Sequence, residues 1–109
     1  MIDVEALARR ATTRRWCPEI DTRDSITARR NALAGLWAGR LMRLADDALS
    51  IYAAEVHGCG SIAGSDREVV DKIWYDLNRA GVATPRETIA EKLEALHREA
   101  AVQLATVGA

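Results

Sequence analysis

His57, Cys59, Cys17 and His97 make a complete set of four soft metal ligands, the donor types that hold a structural zinc. Their spacing argues against that use, because only His57 and Cys59 are close in sequence and neither end of the set contains a closely spaced cysteine pair. Gly58-Cys59-Gly60-Ser61-Ile62-Ala63-Gly64 is glycine-rich and leads into a helix start, the place where backbone N–H groups bind phosphate. Asp66 and Glu68 already put negative charge in that turn, the segment follows a helix rather than a strand, and neither nucleotide-binding fingerprint is present. It reads as an interhelical loop. No serine, cysteine or carboxylate pair stands beside a histidine at a spacing that suits nucleophilic or acid–base catalysis. The sequence therefore reads as a non-enzyme with no cofactor and no metal, whose work is recognition.

The elements that carry these residues are helical throughout. From Asp24 the apolar residues Ile26, Leu33, Leu36, Trp37, Leu41 and Leu44 recur at steps of three, four and seven, which predicts one long helix with a single apolar face. Asp46 or Asp47 is expected to cap a second helix, with Leu49, Tyr52, Ala53 and Val56 as its stripe and Gly58 and Gly60 at its end. Ser65-Asp66-Arg67-Glu68 spells a capping box ahead of Val69, Val70, Ile73, Trp74 and Leu77, and Gly81 closes that helix. Thr84-Pro85-Arg86-Glu87 repeats the box, with proline at the first helical position, and introduces Ile89, Leu93, Leu96, Ala100 and Leu104. No segment alternates with the period of a strand, and the connections are short. The expected fold is all-α: a compact four-helix domain over residues 20–109, with Trp37 and Trp74 as core anchors and His97 partly exposed at the edge of the last apolar face.

Residues 1–19 are expected to be a basic N-terminal arm, helical or mobile, which as a helix would set Val4, Leu7, Ala8 and Ala11 on one side and Arg9, Arg10, Arg14 and Arg15 around the other. Trp16-Cys17-Pro18 reads as a hinge, because the residue before proline is pushed out of the helical region, or else Trp16 packs back onto the bundle. Charge is uneven along the chain: residues 1–43 hold nine arginines against five acids, and residues 44–109 hold six basic residues against eleven acids. A basic lead segment on an acidic body attracts acidic partners at long range; the competing reading makes these arginines ordinary solvated helix faces. An isoelectric point near 6.1 opposes stable nucleic-acid binding. With no apolar run of about 18 residues and no secretory leader, a soluble cytoplasmic protein with reduced cysteines is expected.

Three strings of identities carry more than periodicity. They are Ala28-Arg29-Arg30-Asn31-Ala32-Leu33-Ala34-Gly35-Leu36-Trp37-Ala38-Gly39, then Tyr52-Ala53-Ala54-Glu55-Val56, then Lys72-Ile73-Trp74-Tyr75-Asp76-Leu77 through Ala80-Gly81-Val82. In this order, over residues 20–104, they resemble the zeta-subunit family of bacterial F-type ATP synthase inhibitors. The resemblance implies a four-helix domain that binds the catalytic head of the ATP synthase and blocks ATP hydrolysis through its N-terminal segment. It further implies a protein partner rather than nucleic acid, no direct membrane insertion, and a place in the cytoplasm or at the periphery of the inner membrane through the synthase. Partner contact is expected from Val4, Leu7, Arg9, Arg10, Arg14, Arg15, Arg29 and Arg30, and an architectural role from Asn31, Leu36, Trp37, Tyr52, Glu55, Val56, Ile73, Trp74, Leu77 and Gly81. Two departures from the family pattern are visible: the chain has no phenylalanine, and His57 to Gly64 stands where an acidic, proline-containing loop is usual. The alternative is a divergent, non-inhibitory helical adaptor that binds another protein or, ranked lower, nucleic acid.

Overall fold

The computed structural model describes residues 25–59 and 66–107, which form four helices. These are α1 (Ile26–Leu41), α2 (Asp46–Cys59), α3 (Asp66–Arg79) and α4 (Arg86–Val107). The Val4, Leu7, Arg9, Arg10, Arg14 and Arg15 contacts, the Trp16 hinge and the Ser65 capping box all lie outside the described residues.

Ser25 begins α1: its backbone is extended and its hydroxyl accepts from the Ala28 N–H at 3.0 Å, satisfying one of the donors a helix start leaves open. The helix stops at Leu41, not at Leu44, because the chain turns left-handed at Arg43, with φ of 66°. Which face is buried also departs from the sequence reading. The buried residues of α1 are Arg29, Arg30, Asn31, Ala32, Ala34, Gly35, Ala38 and Gly39, while Ile26 and Leu41 stay exposed and Leu33, Leu36 and Trp37 are half-buried. The reason is proximity. A Cβ built on Gly35 would stand 2.7 Å from the Ala53 backbone Cα, and one on Gly39 would stand 2.5 Å from Leu49 Cδ1. Two helices this close leave room only for small residues between them, so the seam is written in alanine and glycine, and a scan for large apolar residues passes over it.

In α2, Asp46 and Asp47 occupy the first turn, where the partial positive charge of the helix start favours them, and the helix runs through Gly58 to Cys59. Asp46 takes a φ of 53°, a conformation that Asp tolerates better than most residues. Tyr52, Ala53 and Val56 are its buried stripe. Val69, Ile73 and Leu77 of α3 and Ile89, Leu93, Leu96 and Ala100 of α4 complete one apolar core. α1 packs mainly on α2 and α4, which makes it the central element of the bundle.

Trp37 and Trp74 are half-buried and packed against the core from its rim; the fully buried large residues are Ile73, Leu77, Ile89, Val56 and Val69. Each indole is covered by a cation from α4: the Arg86 guanidinium sits 4.0 Å from the Trp74 ring centre, and the Lys92 ammonium 5.8 Å from that of Trp37. Their size makes full burial rare, and a cation over the ring face supplies attraction of its own. At the start of α4 the Thr84 hydroxyl donates to the Val82 carbonyl at 3.1 Å, and the Pro85 carbonyl accepts from Thr88 and Ile89. A turn bonded to its own backbone thus replaces the reciprocal box read at Thr84 and Glu87.

Candidate protein-interaction site

Arg29 and Arg30 were expected at a partner's surface; the bundle holds them inside, at 6% and 5% exposure. Arg30 donates from Nε and Nη2 to Asn31 Oδ1 at 2.9 and 2.7 Å, and from Nη2 to Asp66 Oδ1 at 2.8 Å. Asn31 itself is 1% exposed. A buried guanidinium is tolerable only when its donors are matched in this way, and a neighbouring amide plus a carboxylate on the first turn of α3 do so. Arg29 donates from Nη1 to Gln103 Oε1 at 3.2 Å, tying the first turns of α1 to the last turns of α4. Both arginines therefore fix the direction of α1, and both lie a few residues from the point where residues 1–24 join it.

A second polar cluster links α2 to α3. The Tyr52 hydroxyl donates to Asp76 Oδ2 at 2.8 Å, and Lys72 Nζ lies 3.0 Å from Asp76 Oδ2 and 3.6 Å from Glu55 Oε1. The same ammonium stands 5.3 Å from the centre of the Tyr52 ring. Burial pushes the Tyr52 phenol well above its ordinary range, and the Asp76 carboxylate adds to the effect. For Lys72, burial lowers the ammonium pKa, but the hydrogen bond and charge of Asp76, with Glu55 behind it, more than offset this and leave it raised. Each shift stabilises the protonated form, so neither side chain is prepared to act as a nucleophile or base near neutral pH. The cluster closes one wall of a groove of about 410 Å³ whose other residues include Met42, Leu44, Tyr75 and Arg79.

Beside that groove is the α1–α2 corner, which sequence reasoning missed. The Leu44 N–H reaches the Gly39 carbonyl at 2.9 Å and the Arg43 N–H the Arg40 carbonyl at 3.0 Å, the bond pair of a Schellman turn with Arg43 at the left-handed position. That position costs about 1–2 kcal/mol for a residue with an ordinary Cβ. No periodicity in the sequence announces it. The only signal is Leu44 itself, an apolar residue just past a helix end, which is the accompaniment this turn usually has.

Among the described residues no group of three or more His, Cys, Asp or Glu is placed to hold a metal. His97 is exposed on α4, and Cys59 is a free thiol directed at the Glu68 carbonyl at 3.6 Å. No described helix is long and apolar enough to cross a membrane.

With this all-helical body in place, the family comparison is decisive: a family model described as ATPase inhibitor subunit zeta matches residues 9–103. The chain belongs to the ATPase inhibitor subunit zeta family. No curated protein and no solved structure matches it. The zeta match begins ahead of the three motifs and takes in Arg9, Arg10, Arg14 and Arg15. Of the zeta motif residues, Asn31, Val56, Ile73 and Leu77 are buried to 1% exposure or less, Tyr52 to 7%, while Leu36, Trp37 and Trp74 are half-buried and Glu55 is exposed beside Lys72. Gly81 takes a φ of 85° at the end of α3, a conformation open to a residue without a Cβ.

Proposed function

We propose that this chain is a regulatory subunit that docks on the catalytic head of an F-type ATP synthase and stops ATP hydrolysis through its N-terminal segment. The observation that carries this reading is the zeta-family match over residues 9–103, which takes in the four arginines of the lead segment, Arg9, Arg10, Arg14 and Arg15, as well as all but the end of α4. In this reading residues 1–19 are the working arm and residues 20–109 the body that presents it. Val4, Leu7, Arg9, Arg10, Arg14 and Arg15 contact the head; Arg29 and Arg30 act from inside the body, by holding the first turn of α1 from which the arm departs.

Inhibition of this kind needs no chemistry. A segment that binds one rotary state more tightly than the others stalls the cycle by the difference in affinity, and nothing beyond that difference is required. The surplus of positive charge on residues 1–43 speeds encounter with an acidic docking site and makes it salt-dependent. The subunit then sits at the membrane surface only through the synthase, without inserting. The test is ATP hydrolysis by the cognate synthase with and without the intact chain, repeated after deletion of residues 1–17. Inhibition by the intact chain and its loss on deletion are expected; equal inhibition by both forms rules out the arm as the working part.

A further inference from the structure

Arg43 adopts a left-handed backbone, φ 66°, at a corner where the same hydrogen bonds elsewhere in this molecule are made around Gly81. A sequence free to choose would place glycine there, so a strained arginine points to something its side chain does. Nothing in the described part of the body employs it. Ion pairs among the described residues include those of Arg30 with Asp66, Lys72 with Glu55 and Asp76, and Arg86 with Asp71, and Arg43 takes part in none of these. Arg40, three residues earlier, is also exposed and also outside these pairs.

Apolar surface lies beside these two cations. Leu41, between them in sequence, is 41% exposed, and the groove lined by the neighbouring Met42 and Leu44 also takes in Tyr75, which is 54% exposed with the Arg79 guanidinium 5.6 Å from its ring centre. The acids that face the corner are already committed: Glu55 and Asp76 to Lys72, and Asp46 and Asp47 to the positive end of α2. Arginine and tyrosine around a small apolar contact are the composition of a protein-docking surface, and the planar guanidinium fork suits a carboxylate. Nucleic acid fits less well, because the whole chain carries a net charge of −1, which opposes a polyanion more than a single carboxylate.

We propose that the α1–α2 corner is a second docking surface of the body, which takes a carboxylate-bearing protein segment with Arg40 and Arg43 as the guanidinium clamp and Leu41 and Tyr75 as the apolar contact. Resting on the function proposed above, that segment belongs to the catalytic head, and the corner adds to the hold of the N-terminal arm by making binding two-point.

The experiment measures affinity of the intact chain for the purified cognate head at low and moderate salt, together with the thermal midpoint of each free variant. Arg43→Gly is expected to melt higher than the parent yet bind the head about 3- to 10-fold more weakly, and Arg40→Ala with Arg43→Gly about 10- to 30-fold more weakly, the deficit shrinking as salt rises. Arg98→Ala, an exposed cation on α4, should bind as the parent does. A stabilised Arg43→Gly that binds with parental affinity overturns the docking surface and leaves the proposed function intact. A loss equal in Arg98→Ala overturns it too, by making the effect one of total charge. Failure of the parent chain itself to bind the head removes both proposals. Because Arg43→Gly relieves strain, impaired folding cannot counterfeit the expected result.

Discussion

The α1–α2 and α3–α4 corners turn the chain with the same pair of hydrogen bonds and opposite choices of residue. At the second corner Val82 N–H reaches the Leu77 carbonyl at 2.8 Å and Gly81 N–H the Asn78 carbonyl at 3.1 Å; at the first, Leu44 and Arg43 make the equivalent bonds to Gly39 and Arg40. The second corner has its large residue, Leu77, at the helical position and glycine at the left-handed one. The first has glycine at the helical position and arginine at the left-handed one. Each choice follows from what the corner abuts. Leu77 fills the core, whereas Gly39 must let α2 approach, and Arg43 lies at the surface where only its backbone is constrained. The comparison separates residues that serve the fold from one whose backbone conformation costs it stability.

Substitutions break or sharpen this comparison in a graded way. Leu77→Ala should be the most damaging, costing about 3–4 kcal/mol in denaturant unfolding, since it opens a cavity in the core and removes the apolar anchor of the second corner. Gly35→Ala should cost about 1–3 kcal/mol by the same assay, because the added methyl meets the backbone of Ala53, which cannot swing aside as a side chain does. Gly81→Ala should cost about 1–2 kcal/mol through left-handed strain alone, with open space around the new methyl. Arg43→Gly, the same exchange run backwards, should gain roughly 0.5–1 kcal/mol and raise the thermal midpoint by about 2–6 °C, the relief of strain exceeding the greater freedom of glycine when unfolded. If Gly81→Ala and Arg43→Gly shift stability in the same direction, the two turns are not equivalent and the comparison fails.

The smallest effect concerns pH. Tyr52 and Lys72 both have raised pKa values in the folded state, so the folded protein keeps protons that the unfolded chain would release. Their contribution is complete below the unfolded values of about 10 and fades as pH rises through the folded ones. The midpoint should therefore fall on the alkaline side, beginning near pH 10, and Tyr52→Phe should make that fall shallower while lowering stability at pH 7 by about 1 kcal/mol. An unchanged alkaline slope in a melting series from pH 7 to pH 11 would remove the Tyr52–Asp76 contact from the account.

Helix number, order and most of the core were readable from the residues themselves. Ile73, Leu77, Ile89 and Leu93 are large, apolar and at helical spacing, so periodicity finds them, and Gly81 marks its turn because it lacks a side chain. α1 was readable as a helix but not in its facing. Its seam is built of residues too small to dominate a hydrophobic pattern, and its buried polar residues, Arg29, Arg30 and Asn31, look like surface until Asp66 and Gln103 arrive from other helices. The tryptophans misled for the opposite reason: size suggests burial, yet Arg86 and Lys92 make a half-exposed position comfortable. Arg43 escaped a reading of the sequence because a backbone conformation at odds with residue type does not show in a pattern read for agreement, and only Leu44, just past the helix end, hints at the turn.

The division of labour between body and arm is the central claim, and competition tests it most directly. The intact chain is titrated into the cognate synthase during ATP hydrolysis, and the form lacking residues 1–17 is then added in excess. The account predicts that the shortened form, bound through the body but unable to wedge, inhibits nothing by itself and restores activity to enzyme held by the intact chain. A shortened form that deepens the inhibition would contradict it, because the inhibitory contact would then belong to the helices.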